Sequence, residues 1–166
     1  MQPMITGQGH LPRLGEHERA EVGNALQAEL VELVDLSLLG KQLHWSVVGP
    51  HFRSLHLQLD ELVDSWRELA DTVAERAIAI GAAVDGQASA VAAASPLEGV
   101  EPGAIDDATL VRELATRLAE TAERTRERAE RVAELDTASE DLLIEVIRTL
   151  EEQLWMVRAQ LPTHRS

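Results

Sequence analysis

Apolar residues recur along this chain at intervals of three and four, the spacing of helices that bury one face. The clearest run is Phe52, Leu55, Leu59, Leu62, Trp66, Leu69, Val73, Ala77 and Ile80, which predicts a helix of about eight turns ending near Gly81. Upstream, Leu36, Leu39, Leu43 and Val47 place another helix from about residue 18 to about Val47, broken by Gly49-Pro50. Pro50 suits the first position of the following helix, where a missing amide is no loss. A third helix is expected from Asp106 or Asp107, either of which can cap it, with Leu110, Leu114 and Leu118 inward. Its second half, residues 120–134, alternates in charge and reads as an exposed face laced with ion pairs. Thr137-Ala138-Ser139-Glu140 has the form of a capping box and opens a fourth helix through Leu143, Val146, Ile147, Leu150, Leu154 and Val157, stopped by Pro162.

Between the second and third helices lies a long connection whose Ala-rich stretch, residues 87–94, predicts a short helix before Ser95-Pro96 and Pro102-Gly103. Residues 1–17 carry Pro and Gly without periodicity and read as an irregular arm; 18–161 form the folded unit and 162–166 a short tail. The expected architecture is all-α: a four-helix bundle of the ferritin-like topology, with a long crossover containing a short helix between helices 2 and 3.

Composition narrows what such a bundle can do. The chain has 166 residues, 45% of them hydrophobic, enough for one domain's core, and no window suits a membrane span. Without cysteine, strong metal ligands are limited to His and carboxylates. No signal segment is visible, so a cytoplasmic location is expected, with nucleoid association left open. The formal net charge of -14 attracts cations and repels nucleic acid and anionic lipid.

Against that background His44, His56, Asp60, Asp71 and Glu75 stand out, two imidazoles and three carboxylates in the mixture that suits iron. With His56 set at zero, helical periodicity puts Asp60 at about 40°, Asp71 at about 60° and Glu75 at about 100°, while the apolar stripe centres near about -90°. The four share a face off the core. Asp60 and Asp71 are nevertheless eleven residues apart, about 16 Å along the axis, whereas two donors on one ion with bonds near 2 Å lie within about 4 Å. One copy of the helix cannot close the site. Two copies packed antiparallel about a twofold axis can: Asp60 and Asp71, and likewise His56 and Glu75, are equidistant from a point between Ser65 and Trp66. The same register sets Asp64 against Arg67 of the second copy, and it leaves Trp66 at the interface with Trp155 assigned to packing. His44 joins His56 through the turn at Gly49. Taken singly, each carboxylate could be ordinary surface polarity; the shared register is what favours a site. His51 is expected at the surface. His10, His17 and His164 fall in the end segments, where the only further metal chemistry expected is an accessory site in the arm.

The stretch His44-Trp45-Ser46-Val47-Val48-Gly49-Pro50-His51-Phe52-Arg53-Ser54-Leu55-His56-Leu57-Gln58-Leu59-Asp60, followed by Asp71-Thr72-Val73-Ala74-Glu75-Arg76 and Gly81, resembles the signature of the Dps family of mini-ferritins. The resemblance implies a dodecameric shell built from twofold dimers. It implies a ferroxidase centre at each dimer interface, with His44, His56, Asp60, Asp71 and Glu75 as iron ligands for two irons per site. Ferrous iron and, as preferred oxidant, hydrogen peroxide would be its substrates, and ferric mineral would be stored inside, protecting DNA from oxidative damage. Trp45 resembles the family's tryptophan beside the centre, an electron donor or a packing anchor. By the same resemblance iron enters through acidic threefold pores at the start of the last helix, for which Asp141 and Glu145 are the candidates, with Asp136 and Glu140 as secondary ones.

The chain departs from many relatives in lacking lysine-rich tails. Lys41 is its sole lysine, and only Arg13 and Arg165 stand in the arm and near the carboxyl end. A DNA-binding, nucleoid-compacting protein with incidental metal binding is therefore the alternative that charge disfavours. A conventional ferritin or di-iron oxygenase needs Glu-x-x-His inside one bundle, and no Glu precedes a His by three here. A metal-free helical interaction module would leave the shared register unexplained. Zinc suits the same donors as iron.

Overall fold

The computed structural model describes Pro12 and residues 14–161. The remainder of the arm, with His10 and Arg13, and the tail, with Pro162, His164 and Arg165, lie outside the described residues. Four long helices, α1 (Glu16–Ser46), α2 (Phe52–Ala79), α4 (Asp107–Val132) and α5 (Thr137–Arg158), make the bundle, and a short α3 (Ala88–Ala94) sits in the crossover. This is the all-α, ferritin-like arrangement read from the sequence. α1 begins two residues inside the stretch read as the arm, which puts His17 on its exposed first turn.

The ends of the helices follow from local chemistry. Gly81, at φ 83°, closes α2: its N–H reaches the Ile78 carbonyl at 2.9 Å and the Ala82 N–H reaches Ala77 at 2.9 Å, the paired bonds of a left-handed helix stop. Asp106 caps α4 by accepting the Thr109 N–H at 3.0 Å. Two expectations shift by a residue or two. Pro50 stays in the turn, and α2 starts at Phe52 after His51. The capping box at Thr137 does not form, because Asp136 holds the N-cap position and its carboxylate is taken by Arg76 and by the Ser139 hydroxyl.

The sequence pattern also missed a parallel pairing of two-residue strands, β1 (Val47–Val48) and β2 (Ile105–Asp106). It ties the end of α1 to the start of α4, so the crossover returns the chain to the end of the bundle where the α1–α2 turn lies. Gly49 takes φ 123° at that turn and packs within 2.9 Å, measured from an added Cβ, of the Asp107 carboxylate. The carboxylate in turn accepts both the N–H and the Nδ1 of His51 at 3.1 and 2.8 Å.

The α1 and α2 stripes meet as expected, with Leu36, Leu39, Leu43, Leu55, Leu59, Leu62, Leu69 and Val73 all buried. Phe52 is the exception on the stripe, being 44% exposed. Gly40 lets the two helices approach closely: a Cβ there would lie 2.6 Å from Trp66 Cζ3 and 2.6 Å from Val63 Cγ2. Trp66 is fully buried inside the single chain, its indole N–H donating to Gln153 Oε1 at 2.7 Å, so it packs the core and is not an interface residue. Trp155, expected to pack, is 67% exposed.

The polar half of α4 is the largest correction. Thr121, Thr125 and Arg128 are buried, and they face two fully buried carboxylates of α1, Glu29 and Glu32. Arg128 bonds Glu29 Oε2 at 2.7 Å and Glu32 Oε2 at 2.6 Å, Arg124 Nε bonds Glu32 Oε1 at 2.8 Å, and the Thr125 hydroxyl donates to Glu29 Oε1 at 3.0 Å. Burial pushes Glu29 above the ordinary carboxyl range further than Arg128 pulls it down. Alternating charge thus serves an internal ion network on one side of α4 and solvent on the other.

Candidate metal centre

At the α1–α2 turn, helical register brings His44 and His56 together. The two rings stack with centroids 3.6 Å apart. Each Nδ1 meets the other residue's backbone carbonyl, His44 Nδ1 to His56 O at 2.8 Å and His56 Nδ1 to His44 O at 3.0 Å. A carbonyl can only accept, so both rings carry their proton on Nδ1, and both Nε2 lone pairs are left available. Fixing the tautomer through the nitrogen that does not bind metal is the usual way a protein prepares an imidazole ligand. His44 is almost completely buried and Phe52 lies 5.0 Å from the His56 ring, so the pair is held on its inner side by the fold.

Asp60, one turn beyond His56 on α2, stands beside this pair, its Oδ1 3.4 Å from His44 Nδ1 and 2.7 Å from the Lys41 ammonium. The hydrogen bond from Lys41 holds the Asp60 carboxyl below its ordinary value, outweighing the desolvation that would raise it. The carboxylate therefore stays ionised and ready to bind a cation. The lysine was overlooked as a site residue. Its signal was legible, since a hairpin that pairs 44 with 56 also brings 41 opposite 60.

Asp71 and Glu75 are not brought to the imidazoles. They lie exposed on the outer face of α2, further along the helix. Among the described residues no three His, Asp or Glu side chains converge closely enough to hold an ion. One chain thus presents an imidazole pair with one carboxylate at one level and two free carboxylates at another. Beside Asp71, α1 and α2 form an apolar groove of about 380 Å³ lined by Leu30, Val34, Leu38, Ala70 and Ala74, with Leu38 54% exposed.

Other expected residues divide between free and engaged. Trp45 is 70% exposed and does not pack within the chain; its ring lies 5.9 Å from Lys41 Nζ. Asp141 and Glu145 point to solvent near the start of α5 and Glu140 is half-buried. Asp136 is committed to Arg76 at 2.6 Å. Burial would raise its carboxyl, but the Ser139 hydroxyl and Arg76 outweigh this and hold it below the ordinary value. Asp64 and Arg67 approach within 4.0 Å of each other in the same chain, both exposed. His51, expected at the surface, is exposed there and anchored to Asp107. No helix among the described residues is long and apolar enough to cross a membrane.

Comparison with known proteins places these features in context. A family model for the ferritin-like domain matches residues 23–165. The chain is 34% identical over 151 residues to DNA protection during starvation protein 2 of Deinococcus radiodurans, covering 91% of this chain but 63% of the relative, less than two thirds of its length. It is 33% identical over 159 residues to the DNA protection during starvation protein of Mycolicibacterium smegmatis, covering 91% of this chain and 82% of that one. Among solved structures it is similar to DpsA14 from Streptomyces coelicolor, with a TM-score of 0.89 and 33% identity over 98% of this chain and 96% of the other.

Proposed function

The chain belongs to the Dps family of ferritin-like proteins, and on that premise we propose that it oxidises ferrous iron at centres shared between two subunits and stores the ferric product inside a closed shell. The observation that carries this reading is the imidazole pair, both Nε2 atoms left available beside Asp60, set apart from two uncommitted carboxylates on the same helix. A twofold axis crossing α2 between Ser65 and Trp66 sets Asp71 and Glu75 of the partner subunit against Asp60 and His56, and gives two identical centres per dimer. The apolar groove beside Asp71 supports this face as the dimer contact.

In that assembly the residues divide the work. His44 and His56 offer neutral nitrogen ligands from fixed rings, which favour transition metals over calcium or magnesium. Asp60, Asp71 and Glu75 supply negative charge that binds ferrous iron as substrate and stabilises the ferric product more strongly. With hydrogen peroxide as oxidant, two ferrous ions give one electron each; the O–O bond breaks, and two protons complete two waters. No hydroxyl radical is released, which is how DNA would be protected chemically. Trp45, next to His44 in sequence and exposed, is the proposed electron donor to the centre. Asp141 and Glu145 are the proposed lining of the entry pores, with Glu140 flanking them; Asp136 is already held by Arg76.

The relatives named for DNA protection raise direct DNA binding as a second role. The net charge of -14 and a single lysine argue against it, and a mobility-shift assay at low and high salt decides it. The enzymatic reading is tested by anaerobic loading with ferrous iron followed by peroxide. The expected result is a ferric absorbance that saturates at about two irons per centre, in a particle the size of a dodecamer. A stable monomer, or undiminished oxidation after Asp71→Ala with Glu75→Ala, refutes it.

A further inference from the structure

Both imidazoles of the proposed centre are oriented by backbone carbonyls, so whatever fixes the backbone at the α1–α2 turn also fixes the ligands. α1 ends at Ser46, and the last bond back into it runs from the Val47 N–H to the Leu43 carbonyl. The His44 carbonyl is therefore the first of the terminal group that a helix leaves without an internal partner, and it accepts His56 Nδ1 at 3.0 Å instead. One more residue of helix would let the Val48 N–H claim it. What prevents this lies outside the hairpin. Val47 and Val48 are drawn out straight to pair with Ile105 and Asp106, and Asp107, the next residue, clamps the turn itself. A single oxygen, Asp107 Oδ2, accepts the His51 N–H at 3.1 Å and His51 Nδ1 at 2.8 Å. Gly49, at φ 123°, lets the carboxylate come this close, since an added Cβ would lie 2.9 Å from the same oxygen. Asp107 is free for this task because Asp106 caps α4. Its side chain is only 16% exposed, and the two bonds from His51 hold its carboxyl below the ordinary value against the desolvation that would raise it.

We propose that Asp107 is a positioning residue of the metal centre: by clamping His51 it holds the α1–α2 turn in the one register that keeps the His44 and His56 protons on Nδ1 and both Nε2 atoms free for metal. The inference rests on the reading of His44, His56 and Asp60 as half of a shared centre. Asp107 acts through His51, which immediately precedes α2 and stands five residues before His56. The crossed bonds, 2.8 and 3.0 Å long, leave little slack, and a slip of about 1 Å between the end of α1 and the start of α2 carries either beyond hydrogen-bond range. A ring that loses its carbonyl can place its proton on Nε2, where it blocks the metal. What the clamp needs from residue 107 is an oxygen acceptor at the position of Oδ2. The negative charge is not required.

Anaerobic titration of the assembled protein with cobalt(II), followed through its visible ligand-field bands, reports ligand number and geometry without any iron oxidation. Loss of a group that orients a metal-bound histidine costs about 10–100-fold in affinity, and Asp107 is one step further removed, so Asp107→Ala should bind cobalt about tenfold more weakly, with altered bands. Asp107→Asn, whose amide oxygen can accept both His51 bonds, should match wild type in affinity and bands. Val146→Ala opens a cavity in the buried face of α5 and serves as the control for destabilisation alone: its melting midpoint should fall while its cobalt affinity and bands stay as in wild type. If Asp107→Ala does not assemble, His51→Ala, which removes one of the two bonds, replaces it and should weaken cobalt binding severalfold. Wild-type affinity and bands in the assembled Asp107→Ala protein, or in His51→Ala where that replaces it, overturn the proposal. So does an Asp107→Asn protein that behaves like Asp107→Ala, or a Val146→Ala protein whose bands shift as far. Failure of the underlying reading looks different: wild type then binds cobalt no better than the protein carrying His44→Ala with His56→Ala.

Discussion

Replacing Arg128 with Met tests the internal ion network most severely. The substitution keeps most of the side-chain volume but removes the guanidinium that bonds Glu29 Oε2 at 2.7 Å and Glu32 Oε2 at 2.6 Å. Both glutamates are fully buried, so water cannot replace what is lost, and Arg124 still reaches only Glu32. Breaking a buried pair by deleting one partner costs about 3–5 kcal/mol, because a charge is stranded in a poor solvent. Against a domain stability of about 5–15 kcal/mol that is a large fraction, and at about 2–4 °C per kcal/mol it lowers the melting midpoint by roughly 6–20 °C. The loss should also depend on pH with a definite sign. Burial already holds Glu29 above its ordinary value, and without Arg128 it rises further. A carboxyl raised in the folded state favours folding below its ordinary value and ceases to do so as pH climbs through the raised one. The variant should therefore gain on wild type as pH falls from neutrality toward about 5. Adding Glu29→Gln and Glu32→Gln should recover most of the loss. The assay is denaturant unfolding followed by circular dichroism at one fixed protein concentration, since assembly contributes to apparent stability. A cost below about 1 kcal/mol, or one independent of pH, refutes the claim that these charges are buried and mutually dependent.

Three further outcomes follow from particular contacts. Gly40→Ala places a Cβ 2.6 Å from Trp66 Cζ3 and Val63 Cγ2, and overpacking of this kind should cost about 1–3 kcal/mol in denaturant unfolding; a neutral result would mean that α1 and α2 are not so closely apposed. Asp136→Asn should destabilise at neutral pH, because Asp136 is held below its ordinary value by Ser139 and Arg76. That stabilisation is complete above the ordinary carboxyl value near about 3.9 and disappears as pH falls through the depressed one, so the acid unfolding curves of the two proteins should converge. Asp64→Arg should weaken dimerisation seen by analytical ultracentrifugation and addition of Arg67→Asp should restore it; weakening by both changes together would reject the proposed twofold register.

What the sequence disclosed, and what it hid, has a common cause. Periodicity found the four long helices, because each buries a stripe of Leu, Val and Ala against a neighbour, while the short one in the crossover, which buries only Val91, was read from its Ala-rich composition. The imidazole pair was legible because its residues are near in sequence and joined by one tight turn. The network of Glu29, Glu32 and Arg128 was not, because nothing local distinguishes a charge answered by a partner 96 to 99 residues away from one answered by water. Trp66 was misassigned for a related reason. A polar handle on a large ring can find a buried amide such as Gln153 as readily as a protein surface, and the apolar stripe should have decided in favour of burial. The β1–β2 pairing is two residues long, too short to leave a pattern. Lys41 was noted only as the sole lysine, although the hairpin that joins 44 to 56 already brings it near 60.

The claim on which the rest depends is that neither chain completes a centre alone, and subunit complementation tests it most directly. One protomer carries His44→Ala, His56→Ala and Asp60→Ala, the other Asp71→Ala and Glu75→Ala, and the two are co-expressed with different tags so that mixed shells can be isolated. Each parent alone should show no fast oxidation of ferrous iron by peroxide. In a mixed dimer one of the two centres receives both wild-type halves, so random pairing in equal amounts should restore about a quarter of the wild-type rate. Mixed shells as inactive as their parents, or either parent active by itself, would contradict a centre shared between subunits.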